Sequence, residues 1–191
     1  MKRTWFVFFF FCSFTIHAQT FANRLSDAAL TLTHQNVVYD ATYFSIPYPN
    51  GDVPLGKGVC TDVIIRAYRT LGIDLQREVH EDMKKHFALY PKKWGLKTTD
   101  KNIDHRRVPN LMTFFSRHGT VLKISDKNDD FHPGDIVTWD LGNGVTHIGF
   151  VVNKKSSDQR RWMIVHNIGG GQELSDCLFK YVITGHYRYE K

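Results

Sequence analysis

The spacing of apolar residues changes at Gly119, and that change constrains the fold more than any other feature of the chain. Before Gly119 the spacing is helical. Arg24 to about Val38 reads as a helix that Ser26 and Asp27 can cap. Cys60–Leu71 carries Val63, Ile64, Ala67, Tyr68 and Leu71 on one face and stops at Gly72. Gln76–Tyr90 ends at Pro91, and Val108–Arg117 admits Pro109 in its first turn. After Gly119, Val121–Ile124, Asp135–Trp139, His147–Val152, Trp162–Val165 and Tyr181–Tyr189 read as strands, rich in β-branched and aromatic residues. Helices first and antiparallel strands second predict an α+β fold, with N-terminal helices packed on an antiparallel sheet. No repeat, linker or low-complexity tract divides residues 23–191, so they form one domain of the 191-residue chain.

The first 22 residues read differently. Lys2 and Arg3 precede a short apolar run, Trp5–Phe14, and small residues follow at Ala18 and Ala22. This is the layout of a secretory signal, cleaved after one of those alanines. The run is short of the ~20 apolar residues that span a bilayer, although an uncleaved anchor is the alternative. Phe9, Phe10 and Phe11 stand before Cys12 where a lipoprotein site needs small residues. The mature protein is therefore expected in the periplasm or outside the cell, with no membrane contact after cleavage. With 25 lysines and arginines against 19 acidic residues the net charge is +6, and it falls to +4 without Lys2 and Arg3. That is no nucleic-acid footprint, and no basic stripe interleaved with aromatics appears.

Two cysteines remain, Cys60 and Cys177. In an oxidising compartment an isolated pair forms a disulfide by default. Against that, Cys60 falls in the first turn of a helix, where free N–H groups and the helix dipole stabilise a thiolate and can hold an oxyanion. His147 starts a strand after a Gly-containing turn, and His166 and Asn167 end the next strand before a glycine-rich loop. A cysteine at a helix start facing two histidines at adjacent strand ends supplies a nucleophile, a base and an orienting group. Tyr39–Gly58, broken by three prolines and three glycines, is long enough to shape a site if ordered. No H-E-x-x-H, C-x-x-C or H-x-H spacing supports a metal, and no phosphate loop or dinucleotide fingerprint is present, so no cofactor is expected.

The segments G-V-C-T-D-V-I-I-R-A-Y, P-G-D-I-V and T-H-I-G-F-V resemble the NlpC-type branch of papain-like cysteine peptidases, enzymes that cut peptidoglycan peptides. Over residues 35–190 the chain resembles still more closely the bacterial family called domain of unknown function 1287, through YPNGDVPLGKGVCTDVIIRAYRTLGIDL, NIDHRRVPNLMTFF, PGDIVTWDLGNGVTHIGFV, HNIGGG and ITGHYRY. The resemblance implies that Cys60 is the nucleophile, His147 the general base and His166 the third polar residue, with Asn167 its rival. A tyrosine ahead of the cysteine helps hold the oxyanion in NlpC-type enzymes; Tyr48 is the first candidate here and Tyr43 the second. Thr61-Asp62 departs from the serine and small residue usual after the cysteine. Asp62 is expected either to meet a cationic substrate group or to pair with Arg66. In Asn102–Arg107, Arg106 and Arg107 either line a solvated helix entry capped by Asp104 or meet a substrate carboxylate. His186 is read as structural.

The resulting expectation is an exported cysteine amidase or endopeptidase acting on peptidoglycan or another peptide. The alternatives are a non-catalytic wall- or partner-binding module on the same fold, and an acyltransferase or thiolesterase using the same cysteine.

Overall fold

Thr20 caps the first helix: its hydroxyl accepts the Asn23 N–H at 3.3 Å, and α1 runs Phe21–Leu32. The structure is a computed structural model that describes residues 20–191. The export segment expected over residues 1–22 therefore lies outside the described residues as far as residue 19. Leu25, Ala28, Ala29 and Leu32 give α1 its buried stripe, so the helix lies earlier in the chain than the Arg24–Val38 span. The other helices are α2 (Cys60–Thr70), α3 (Leu75–His86) and α4 (Val108–His118), close to the expected spans. Asp74 caps α3 by accepting the Arg77 N–H at 3.0 Å, and Gly119 ends α4.

The chain from residue 38 onward adds eight strands. A two-residue parallel pair joins β1 (Val38–Tyr39) to β2 (Lys57–Gly58), with Tyr39 opposite Gly58. The remaining six are β3 (Thr120–Val121), β4 (Ile136–Asp140), β5 (Thr146–Lys155), β6 (Trp162–His166), β7 (Glu173–Ser175) and β8 (Val182–Arg188). They form one antiparallel sheet in the order β3-β8-β4-β5-β6-β7. β7 falls in the polar loop after His166, too short to carry a period.

Strand alternation splits the apolar residues between two faces. Ile136, Ile148, Phe150, Val165 and Tyr187 pack under the helices with Val63, Ile64, Leu111 and Phe115. Val137, Trp139, Val151 and Ile164 turn to the other face against Phe131, Cys177 and Leu178. Tyr68 of α2 ties the layers together. Its ring packs on Phe115, Phe150 and Tyr189, and its hydroxyl donates to the Tyr189 carbonyl at 2.8 Å. Each such buried side chain contributes roughly 1.5–3 kcal/mol.

Pro133-Gly134-Asp135 fastens the sheet to α1. Gly134 has φ +92°, and a Cβ there would come within 2.9 Å of Ala22. The buried Asp135 accepts the His132 N–H and meets Arg188 and His186 Nε2, the last at 2.9 Å. His186, stacked on Phe131, is thus the structural residue expected.

Candidate active site

Cys60 opens α2, 5% exposed, with the Ile148 backbone hydrogen-bonded to its sulfur. Burial pushes the thiol up to about 12, and Asp62 pushes in the same direction. Backbone hydrogen bonds from Ile148, Thr61 and Cys60 itself pull the other way. The depression expected from the helix start is therefore outweighed, because a nearly dry site disfavours a thiolate more than one helix terminus favours it. Cys60 and Cys177 are both free. The disulfide expectation is not met, because Cys60 packs in the helix-side core and Cys177 in the cluster on the opposite face of the sheet.

His147 stands second in β5 and is 3% exposed. Its Nε2 lies 2.8 Å from His166 Nδ1, at the end of β6, with the two rings edge to face. The ring also tilts against Trp139, its partner on β4. Burial, with His166 beside it, holds His147 down at about 3; burial, with Lys180 adding, holds His166 at about 4. Both imidazoles are neutral at pH 7. On its far side His166 Nε2 faces Cys177 Sγ at 3.6 Å and Glu173 Oε1 at 3.7 Å. Gly149 permits this approach. A Cβ there would sit 2.8 Å from Ile164 Cγ2 and 3.1 Å from His166 Cβ.

Asn167, the rival third residue, does not meet His147. It is fully buried, donates to the Gly58 carbonyl at 3.3 Å and accepts the Gly169 N–H, so it pins the segment before Cys60.

Asp62 pairs with neither a free site nor Arg66. Its carboxylate reaches back to the Val59 N–H at 2.7 Å, one half of a capping box, and takes a two-pronged bond from Arg106 at 2.9 and 3.0 Å. Arg66 is held by Asp52, Gln172 and the Lys57 carbonyl. The solvated helix entry is likewise overturned. Asp104, His105 and Arg106 form a buried single turn of 3₁₀ helix against the start of α2, where Thr61 donates to the Arg106 carbonyl.

The tyrosines are redistributed too. The Tyr48 hydroxyl donates to Glu81 at 2.9 Å and its ring packs edge-on to His80. Tyr43 donates to Asp100 and accepts from Asn102. The tyrosine beside Cys60 is Tyr39, whose hydroxyl is pushed up by burial and then by Cys60 and Asp62. Sequence reading missed it because the pairing of Val38–Tyr39 with Lys57–Gly58, not proximity along the chain, returns it to the cysteine.

Cys60, Tyr39, Arg106, Arg107, Trp94 and Thr146 border a cavity of about 220 Å³. A larger one of about 610 Å³ beside Arg66 and Arg69 holds no nucleophile. The smaller cavity is the one with chemistry. It holds the Cys60 thiol; neither His147 nor His166 lines it, and both turn toward Trp139 and Cys177, on the sheet face opposite Cys60.

The fold is α+β, helices packed on one antiparallel sheet. A solved N-acetylmuramoyl-L-alanine amidase from Bacteroides uniformis shares it, with a TM-score of 0.55 at 12% identity over 89% of this chain and 99% of that one. The chain belongs to the family described as domain of unknown function DUF1287, whose model matches residues 26–189. It is 49% identical over 165 residues to the uncharacterized protein YijF of Escherichia coli strain K12, covering 86% of this chain and 80% of that protein.

Proposed function

We propose that this protein is an exported cysteine hydrolase that cleaves amide bonds in peptidoglycan peptides. The observation that carries the reading is the hydrogen bond from the Ile148 backbone to the Cys60 sulfur, which sets β5, one residue after His147, against a cysteine that opens a helix; His147 Nε2 in turn lies 2.8 Å from His166 Nδ1. The amidase fold supports the substrate class. The charged, apolar and small-residue layout of residues 1–22 supports export.

With Nε2 committed to His166, Nδ1 is the nitrogen of His147 left for the thiol. Cys60 Sγ attacks the carbonyl carbon as its proton passes to His147 Nδ1, and the imidazolium gives that proton to the leaving amine as the C–N bond breaks. Water, deprotonated by the same nitrogen, then cleaves the thioester to release the carboxylate and restore the thiol. The Cys60 N–H and the Tyr39 hydroxyl are the donors for the developing oxyanion. For His147 Nε2 to donate, His166 must accept at Nδ1 and carry its own proton on Nε2. The Glu173 carboxylate, which can only accept, favours that tautomer.

The test is mass spectrometry of purified peptidoglycan and soluble muropeptides incubated with the mature protein and with Cys60→Ala. New fragments from the unaltered protein alone are expected, and their masses name the bond cut. Fragments from neither, while Cys60 alkylates as a free thiol, would overturn the substrate class.

A further inference from the structure

Two arginines border the Cys60 cavity, and only one has its charge answered. Arg106 is bound through two nitrogens by Asp62. Arg107 makes no hydrogen bond and no ion pair among the described residues, and its Nη1 is buried without a partner. Its guanidinium lies 4.4 Å from the centroid of the Trp94 ring, and burial lowers its affinity for its proton. The nearest carboxylates, Asp104 and Asp100, act on it through space only: Asp104 Oδ2 is held by His80 and the Asp100 N–H while its Oδ1 is buried without a partner, and Asp100 is held by Tyr43 and Asn102. No Asp or Glu lines the cavity. The contrast with the 610 Å³ cavity is direct: there Arg66 and Arg69 both grip Asp52.

A half-buried guanidinium without a counter-ion is costly, and a ligand carboxylate in the same cavity removes the cost while accepting two parallel hydrogen bonds. Trp94 suits this role. It lies over the guanidinium and stands 56% exposed with φ +63°, on a single turn that has no buried residue. We infer that Arg107, stacked under Trp94, reads a free carboxylate next to the scissile amide, so that the substrate is an anionic peptide and its amidated counterpart is rejected. This rests on the hydrolase reading for its chemistry but not for its binding.

The experiment compares muropeptides whose stem-peptide carboxylates are free with the same muropeptides amidated. Turnover is measured with the unaltered protein and with Arg107→Gln and Arg107→Lys; binding is measured by calorimetry with Cys60→Ala alone and combined with Arg107→Gln. The unaltered protein is expected to favour the free carboxylate about tenfold or more in kcat/KM, the worth of a charge-assisted contact. Arg107→Gln should bring the ratio near one, and Arg107→Lys should fall between, because an ammonium lacks the planar fork. Equal turnover of the two substrates by the unaltered protein, which requires no variant to fold, would overturn the inference and leave the hydrolase standing. Absence of turnover on either would count against the hydrolase alone. Binding would then decide: a free-carboxylate preference in Cys60→Ala that Arg107→Gln abolishes upholds Arg107, and equal binding overturns it.

Discussion

His147 Nε2 and His166 Nδ1 lie 2.8 Å apart, and the other ring nitrogen of His166 faces Cys177 and Glu173. One bond thus couples His147 to Glu173 and Cys177 on the far side of His166.

The coupling has a signed consequence at Glu173. Glu173→Gln replaces an obligate acceptor with a side chain that can donate to His166 Nε2, which drives the proton to Nδ1 and reverses the bond to His147. Muropeptide turnover should show kcat about tenfold lower in Glu173→Gln and less affected in Glu173→Ala, with KM little changed. His166→Ala should lose roughly 10²-fold or more, and His166→Asn should recover part of it.

The pH profile follows from the neutral resting pair. His147 sits at about 3 and Cys60 at about 12, so kcat/KM should stay level through neutrality and fall only well below the 6.5 of a free imidazole. A stopped-flow profile with its acid limb near pH 6.5 would mean that the base titrates as a free imidazole and is not held down by burial.

Stability against acid has its own window. His105, His147 and His166 are held at about 3, 3 and 4, below the unfolded value of 6.5. The unfolded chain therefore binds more protons, so stability is fully present above pH 6.5 and declines as pH falls from there toward 4 and 3. Tm measured from pH 8 down to about 5 should drop below pH 6.5, before most exposed carboxylates titrate.

Two substitutions test the packing around the site. Gly149→Ala sets a Cβ against Ile164 and His166 and should cost roughly 1–3 kcal/mol in urea denaturation, with kcat falling as His166 is displaced. Asp62→Asn leaves the buried Arg106 without its counter-charge and should cost on the order of 3–5 kcal/mol by the same measurement.

The mature N-terminus is a further outcome. Phe21 and Ala22 form the first turn of α1, Phe21 packing on Tyr68 and Ala22 under Gly134. Cleavage after Ala18 keeps that turn and cleavage after Ala22 removes it, so N-terminal sequencing should read Gln19 first.

How much of the site was legible depended on how local its signals were. Cys60 at a helix start, Asp135 after Pro133-Gly134, and His147 at a strand start each follow from a turn, a cap or a period spanning a few residues. His166 over Asn167 was legible only as a pair of alternatives. Strand alternation decides it by turning His166 toward His147 while Asn167 reaches Gly58. Tyr39 was missed because a two-residue strand has no period to detect, and Asp62 was given to a cationic substrate group or to Arg66 because Arg106, 44 residues on, is not visible as a neighbour in one dimension.

By itself, then, the sequence determined the order of elements, the apolar faces that bury them, and which cysteine and histidines stand at element ends. These are properties of spacing, and the hydrophobic effect acts on spacing directly. Only the tertiary structure decided which charges are answered and which are not. Arg106 meets Asp62 across 44 residues while Arg107 beside it meets none, and Cys177 ends behind His166 instead of against Cys60. Electrostatic pairing depends on distances of a few ångströms between segments far apart in the chain, and the folded core sets those distances.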